Sequence, residues 1–207
     1  MPRTPLKALP APAPELARLP VQERLLAASL RLFAAQGVEG TSVQEIVAAA
    51  GVTKGAMYHY FASKDDLLYE IYHRLLSRQT ERLNAIADGP GSARERVRAA
   101  AADVVESTLD SIDEAIVSFR SVHMLPNPQR AQVRAERRRY HERFRELVEE
   151  GQRDGAFRDD VPADLAVHFF FGSVNQLGTW YHRDGGLTRQ QIAEQYARLF
   201  LAGLGAR

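Results

Sequence analysis

The sequence predicts an all-α protein of about nine helices, in which a unit of three short helices precedes a larger helical domain. From residue 21 onward, apolar residues recur at spacings of three and four, and no run combines period-two alternation with β-branched residues. Glycine, proline and helix-capping residues interrupt this pattern at intervals that fit ordinary helices. With 207 residues, the chain is long enough to bury a sizeable core.

Composition excludes several classes of protein. The absence of cysteine removes disulfide scaffolds, zinc–thiolate sites and thiol catalysis. The chain has neither an apolar run of membrane-spanning length nor an apolar leader, so we expect a cytoplasmic protein without membrane contacts. Phosphate-binding loops, dinucleotide fingerprints, nucleophile elbows and H-E-x-x-H spacings are also missing. We therefore expect no catalytic residues, no cofactor and no metal.

The first 20 residues hold six of the ten prolines. Proline fixes φ and removes a backbone donor, so we interpret residues 1–20 as an extended or disordered arm rich in Pro and Ala. One interpretation is an inert tail. The other is an arm that reaches DNA through Arg3 and Lys7.

Helix boundaries follow from capping residues and breaks along the rest of the chain. In the first part they are a left-handed cap at Gly37, an N-cap at Thr41 or Ser42, a break at Ala50-Gly51-Val52, an N-cap at Thr53 and a capping box from Ser63 to Asp66. In the second part, a turn at 88–91 precedes a capping pair at Ser92 and Glu95, and a break near 110–112 precedes a helix that ends near Met124. One long helix is expected from Pro128 to about Gly155, with Asn127 as its cap, and another from Pro162 to about His182. A capping pair at Thr188 and Gln191 begins the last helix.

The second and third helices have the arrangement of a helix-turn-helix, because a glycine-containing turn joins them. In that arrangement the third helix lies in the major groove while the second braces it. Thr41, Ser42 and Thr53 stand at helix starts, where hydroxyl and N–H groups meet phosphates. Residues 1–64 carry a net charge of +3, against −2 for the rest. We predict a DNA-binding domain over residues 21–65 and a second domain over residues 66–207.

Residues 33–67 resemble the N-terminal domain of the tetracycline-repressor (TetR) family of transcription factors. The matching residues are Phe33, Gly37, Thr41, Ile46, Ala50-Gly51-Val52, Lys54-Gly55, Tyr58-His59-Tyr60-Phe61, Lys64 and Leu67. Val47 is a departure, because the family usually has alanine there.

The resemblance implies roles for individual residues of this domain. It implies phosphate contacts for Thr41, Tyr60 and Lys64, and it places on or beside the recognition helix Thr53, Lys54, Gly55, Tyr58 and His59. Gly55 lacks a Cβ and so lets the helix approach DNA closely. We expect Phe61 in the core, whereas Met57 could pack inward or touch a thymine methyl group.

The resemblance further implies a C-terminal helical bundle with a ligand cavity, whose last two helices pair with a second subunit in a homodimer. The candidate cavity residues are Phe119, His123, Met124, Tyr140, Phe144, Phe169, Phe170, Val174 and Trp180. The candidate dimer residues are Leu177, Tyr181, Ile192, Tyr196, Leu199 and Phe200. The alternative is that these terminal residues complete the subunit's own core.

Two segments bear on the ligand. The segment from Trp180 to Thr188 resembles family members that respond to acyl-CoA thioesters, although several of those carry arginine at the position of Thr179. Alternatively, this segment only shapes a turn. Arginines cluster between residues 134 and 145 among glutamates, which is typical of a solvated helix face or of a site for ligand phosphates.

These observations predict a ligand-responsive transcriptional regulator. Its simplest form is a repressor that binds a palindromic double-stranded DNA operator as a dimer and is released by a small hydrophobic effector, either acidic or CoA-linked. The alternatives are a transcriptional activator or an architectural DNA binder. A more remote alternative is a helical small-molecule-binding protein or enzyme.

Overall fold

The computed structural model describes residues 18–205, and none of these lies in a β-strand, which confirms the all-α prediction. The helices are α1 (Val21–Gln36), α2 (Val43–Ala49), α3 (Lys54–Tyr60), α4 (Lys64–Ala87), α5 (Ala93–Asp110), α6 (Ile112–Ser121), α7 (Asn127–Arg153), α8 (Ala163–Asn175), α9 (Leu177–Trp180) and α10 (Arg189–Gly203), with a 3₁₀ turn at Val122–Met124. The single-turn α9 continues α8 after a break at Gln176. The predicted proline-rich arm lies almost entirely outside the described residues.

Local capping chemistry sets most helix starts. Complete capping boxes begin α2 at Ser42, α5 at Ser92 and α10 at Thr188, so Ser42 rather than Thr41 is the N-cap of α2.

Several boundaries differ from prediction. The helix expected from Pro162 to about His182 is broken at Gln176, and its last turn ends at Trp180. Helix α7 begins at Asn127, one residue before the expected proline. Gly37 has φ +79° and ψ 163°, so it ends α1 in a positive-φ conformation that is essentially restricted to glycine and lies outside the left-handed helical region.

Two hydrophobic cores hold the chain together. The first, which we call the N-terminal core, joins α1, α2 and α3 to the first half of α4 through buried residues such as Leu25, Ile46, Met57 and Leu67. Met57 therefore packs inward, and Phe61 is buried beside it, as expected. The second, the C-terminal core, joins the end of α4 to α5, α7, α8 and α10. Helix α4 contributes to both cores.

Aromatic rings fill the centre of the C-terminal core. The Phe144 ring of α7 lies 5.5 Å from that of Phe170 and 6.0 Å from that of Phe200, between ring centroids. Gly151 makes room nearby, because a Cβ at this position would lie 2.2 Å from the Phe157 ring. The close approach of Phe157 to α7 thus requires glycine at position 151.

Phe144→Ala tests this packing. Phe144 is fully buried, and we expect its truncation to lower the free energy of unfolding by about 3–5 kcal/mol, through lost transfer free energy and the cavity left behind. The matched control is Arg139→Ala, an exposed position on the same helix, for which we expect a change within about 0.5 kcal/mol. Urea denaturation at equal protein concentration measures both. A similar small loss for the two variants would contradict the assigned core.

Candidate DNA-binding surface and ligand cavity

The turn between α2 and α3 fixes how α3 is presented. Gly51 has φ +63°, a conformation that favours glycine, and the Val52 N–H donates to the Val47 carbonyl at 2.9 Å. The Thr53 hydroxyl then accepts from the Ala56 N–H at 3.1 Å and caps α3. Because Met57 is buried beneath the helix, the opposite face of α3 points to solvent.

That outer face carries the side chains predicted for the recognition helix. Thr53, Lys54, Gly55, Tyr58, His59 and Tyr60 are all exposed. Tyr58 is 52% exposed, a high value for so large an aromatic residue. A Cβ on Gly55 would meet only Thr53 Oγ1, at 3.8 Å, so the space in front of this glycine is open. A rigid, polar and aromatic helix face with open space before it fits a major groove.

Of the predicted phosphate contacts, Thr41 is buried, and Lys64 is partly buried and bonded to two backbone carbonyls. Thr41 is 1% exposed, and its hydroxyl donates to the Gly37 carbonyl at 2.7 Å, which corrects its assignment as a surface contact. Lys64 Nζ donates to the Val38 carbonyl at 2.6 Å and to the Thr41 carbonyl at 2.9 Å. Lys64 thus ties the start of α4 to the loop before α2. Its ammonium group has three N–H donors, so one remains beyond these two bonds.

Ser42 lies exposed beside this loop. Its hydroxyl donates to Glu45 Oε2 at 2.7 Å, and its N–H donates to the same oxygen at 2.8 Å. Both bonds lower the pKa of Glu45 below its ordinary value, and the bond from the Ser42 N–H contributes most. The charged capping box therefore persists at neutral pH and fixes the start of α2.

A cavity of about 740 Å³ lies among α4, α5, α6, α7 and α8, within the usual range for small-molecule sites. Its apolar and aromatic lining comprises Tyr72, Leu75, Leu76, Val104, Ala115, Phe119, Tyr140, Phe171 and Val174. Burial raises the pKa of Tyr72 to about 12, and burial also raises the pKa of Tyr140. Both phenols therefore stay neutral and can donate hydrogen bonds at physiological pH.

Charged groups occupy one wall of the cavity. The four arginines of this wall, all on α7, are Arg134, Arg137, Arg138 and Arg145. The Arg137 guanidinium lies 5.4 Å from the centre of the Phe119 ring, a cation–π contact. Acidic lining residues are Glu142 and Asp164. Four guanidinium groups against two carboxylates give this wall an excess of positive charge.

Three of the nine predicted cavity residues line the cavity: Phe119, Tyr140 and Val174. Phe144 and Phe170 lie instead in the aromatic centre of the C-terminal core. Neighbouring Phe171 takes the lining position, one residue further along α8.

The other four predicted cavity residues lie elsewhere. His123 is exposed in the 3₁₀ turn, and Met124 packs against the N-terminal core. Phe169 is 77% exposed on the outside of α8. Trp180 is exposed and stacks on Tyr196, with ring centroids 6.5 Å apart. The spacing of these residues could not show which face of each helix the tertiary packing turns inward.

The predicted dimer residues divide into two groups. Leu177, Ile192 and Phe200 are buried within this chain, which corrects their assignment to an interface. Tyr181 and Tyr196 are half-buried against the C-terminal core. Leu199 is 72% exposed on α10. An apolar outer surface also remains on α8 and α9, at Leu165, Phe169 and Trp180.

Sequence reasoning missed contacts that tie α4 to α7 and to α6. Gln129 Nε2 of α7 donates to Asp66 Oδ1 of α4 at 2.7 Å. The Tyr72 hydroxyl, in the cavity wall, donates to the Ser118 carbonyl of α6. The sequence does not show which residue a polar side chain on a long mixed-charge helix will bond to. These pairs are therefore visible only in the tertiary structure.

None of the helices among residues 18–205 is long and apolar enough to cross a membrane.

Comparison with known protein families agrees with both halves of this architecture. Residues 25–71 match the family of bacterial regulatory proteins described as the tetR family. Residues 90–204, more than half of the chain, match the tetracyclin repressor-like C-terminal domain.

Individual relatives extend over most of the chain. The HTH-type transcriptional repressor KstR2 of Rhodococcus jostii is 27% identical over 184 residues, which cover 88% of this chain and 90% of that protein. The TetR-family regulator PfmR of Thermus thermophilus is 28% identical, with a TM-score of 0.81 over 87% of this chain and 98% of its own. AibR, solved in complex with isovaleryl coenzyme A and operator DNA, is 27% identical, with a TM-score of 0.77 over 87% and 97% of the two chains. The chain therefore belongs to the TetR family of bacterial regulatory proteins, and it is a DNA-binding transcriptional regulator.

Proposed function

We propose that the protein is a repressor that binds a two-fold symmetric operator as a homodimer and leaves it when an acidic, largely apolar metabolite or its CoA thioester enters the cavity. The observation that carries this proposal is the combination of an outward-facing α3 and a cavity with an arginine-rich wall. Helix α4 shares the N-terminal core with α3 and also lines the cavity. Similarity to KstR2, a repressor, and to AibR, which binds isovaleryl coenzyme A and operator DNA, supports it. Such a repressor acts in the bacterial cytoplasm, where its operator lies.

The exposed face of α3 supports the DNA-binding part of the proposal. We place Tyr58 and His59 nearest the bases and Lys54 and Tyr60 at the phosphates, because α3 leaves these four side chains in solvent. Residues 21–65 then act as the DNA-binding domain and residues 66–207 as the ligand-binding and dimerisation domain. Two such domains must present their α3 helices roughly 34–36 Å apart to meet successive major grooves.

The wall of arginines supports the effector class. An apolar cavity of about 740 Å³ accommodates a fatty-acyl, steroid or aromatic body. A neutral effector would leave the guanidinium groups of Arg134 and Arg138 without an anionic partner, whereas a carboxylate or phosphate pairs with them through charge-assisted hydrogen bonds.

Contacts between α7 and α4 give the ligand a route to the DNA-binding half. The ligand-facing wall on α7 is tied to α4 by the Gln129–Asp66 hydrogen bond and by His73 Nδ1, 3.2 Å from Glu136 Oε1. An effector that binds better to a conformation with displaced α7 shifts the population away from the DNA-bound state. A coupling of about 1–3 kcal/mol is enough to change operator occupancy several-fold or more.

Lys54→Ala and Lys64→Ala separate DNA contact from structural support. We expect Lys54→Ala to weaken operator binding and to reduce the slope of log affinity against log salt by about one, as for a lost phosphate contact, with the melting temperature unchanged. We expect Lys64→Ala to lower the melting temperature, because two buried carbonyls lose a charged donor worth at least about 1.5 kcal/mol. Salt-dependent binding titrations and thermal unfolding measure the two effects. A wild-type melting temperature for Lys64→Ala would contradict its structural role.

Leu199→Glu tests the proposed homodimer. The side chain is exposed within one chain, so a carboxylate there is tolerated by the monomer but not by an apolar interface. We expect monomers by light scattering, with helix content retained by circular dichroism. Phe200→Glu, at a buried position, is expected to lose helix content instead. A monomeric wild type at micromolar concentration would show that the terminal-helix dimer is wrong.

Arg138→Gln tests the effector class, with Arg139→Gln as its matched control. Arg138 lines the cavity, and its exposed neighbour Arg139 does not. We expect the concentration of acyl-CoA or free acid that half-releases the operator to rise about tenfold or more in Arg138→Gln, since a hydrogen bond to a charged group is worth about 1.5–3 kcal/mol. Arg139→Gln should respond as the wild type does. Release by neutral hydrophobic compounds alone would overturn the acidic effector.

A further inference from the structure

A cluster of three metal-ligating side chains lies at the α7–α8 side of the cavity. His141 comes from α7, and Asp164 and His168 come from α8, where their spacing of four residues places them on one helix face. One donor atom from each lies within 4.8 Å of the other two. All three residues also line the cavity.

The distances within this cluster are too long for hydrogen bonds but suit a shared cation. His141 Nδ1 lies 3.8 Å from Asp164 Oδ1, and His168 Nε2 lies 3.6 Å from Asp164 Oδ2. Ligands bound at 2.0–2.1 Å around a tetrahedral Zn²⁺ lie about 3.4 Å apart. Each histidine therefore lies a few tenths of an ångström farther from its own Asp164 oxygen than in a loaded site, and the donor atoms of the three residues lie within 4.8 Å of one another.

The local structure allows the three side chains to close around an ion. The His141 ring is mostly buried and lies 5.7 Å from the Phe171 ring, between centroids, so one ligand is fixed by packing. Asp164 and His168 are both exposed and can rotate toward it. The nearby Arg145 guanidinium lies 3.5 Å from the Glu149 carboxylate, which offsets part of its repulsion of a cation.

We propose that His141, Asp164 and His168 form a binding site for a first-row divalent transition metal such as Zn²⁺. Two imidazoles and one carboxylate are a donor set that suits Zn²⁺, Co²⁺ and Ni²⁺ rather than Mg²⁺ or Ca²⁺, which prefer oxygen ligands. Three protein ligands leave at least one coordination position for water or another oxygen donor. The sequence did not predict this site, because its ligands match no continuous motif and meet only when α7 packs on α8.

The test uses full-length, tag-free protein stripped of metal with a chelator and then titrated with Co²⁺. The visible absorption of Co²⁺ reports nitrogen and oxygen ligation directly, and competition with Zn²⁺ gives the affinity for zinc. We expect one ion per chain. We expect His168→Ala and Asp164→Asn to weaken binding by more than the roughly 10- to 100-fold that loss of an outer-shell partner costs. Both positions are exposed, so these variants keep the fold.

His182→Ala is the matched control, because it removes an exposed histidine outside the cluster and should leave Co²⁺ binding unchanged. His141→Ala, measured with circular dichroism to check folding, should abolish the Co²⁺ spectrum. The proposal is overturned if the wild type binds less than one ion per chain at micromolar Co²⁺. It is equally overturned if His168→Ala retains wild-type affinity, since the ligands would then lie elsewhere.

Discussion

The continuity of helix α4 is the constraint on which the rest of the molecule depends. Its first half is buried in the N-terminal core through Leu67, Leu68 and Ile71, and its last turns are buried in the C-terminal core through Leu83 and Ala87. Between these halves it forms part of the cavity wall. A helix of 24 residues spans about 36 Å. Because neither core is complete without it, α4 is the element through which the proposed effector response would reach the end that Lys64 fixes to the loop before α2.

Burial determines which side chains build the two cores and which remain available to bind DNA or a ligand. Met57 fixes α3 to the N-terminal core, which leaves the polar face of this helix free for DNA. In the larger domain, Phe144, Phe170 and Phe200 form a solid centre, whereas Phe119 and Phe171 border the cavity. The arginines of α7 then supply charge at the cavity wall without being buried in the core. This arrangement suits a ligand with an apolar body and an acidic group.

Local features of the fold could be predicted from the sequence, whereas features set by tertiary packing could not. Capping pairs such as Ser92 with Glu95 act within one turn, so their helix starts were predicted correctly. The choice between Phe170 and Phe171 as a cavity residue depends on the rotation of α8 against α7, which periodicity alone leaves open. Thr41 looks like a surface hydroxyl in sequence, but the fold buries it against Gly37. Phe200 was predicted at the dimer interface because an apolar residue on a terminal helix fits either a core or an interface, and the sequence alone does not distinguish the two.

Selection of bound DNA from a random pool tests most directly whether the two α3 helices of a dimer recognise a symmetric DNA sequence. The full-length protein would be incubated with random duplexes at physiological salt, and the bound fraction sequenced over several rounds. We expect enrichment of an inverted repeat whose half-sites are separated by about one helical turn, 10–10.5 base pairs, or a multiple of it. Salt-sensitive binding without any enriched sequence would contradict it and indicate an architectural DNA binder.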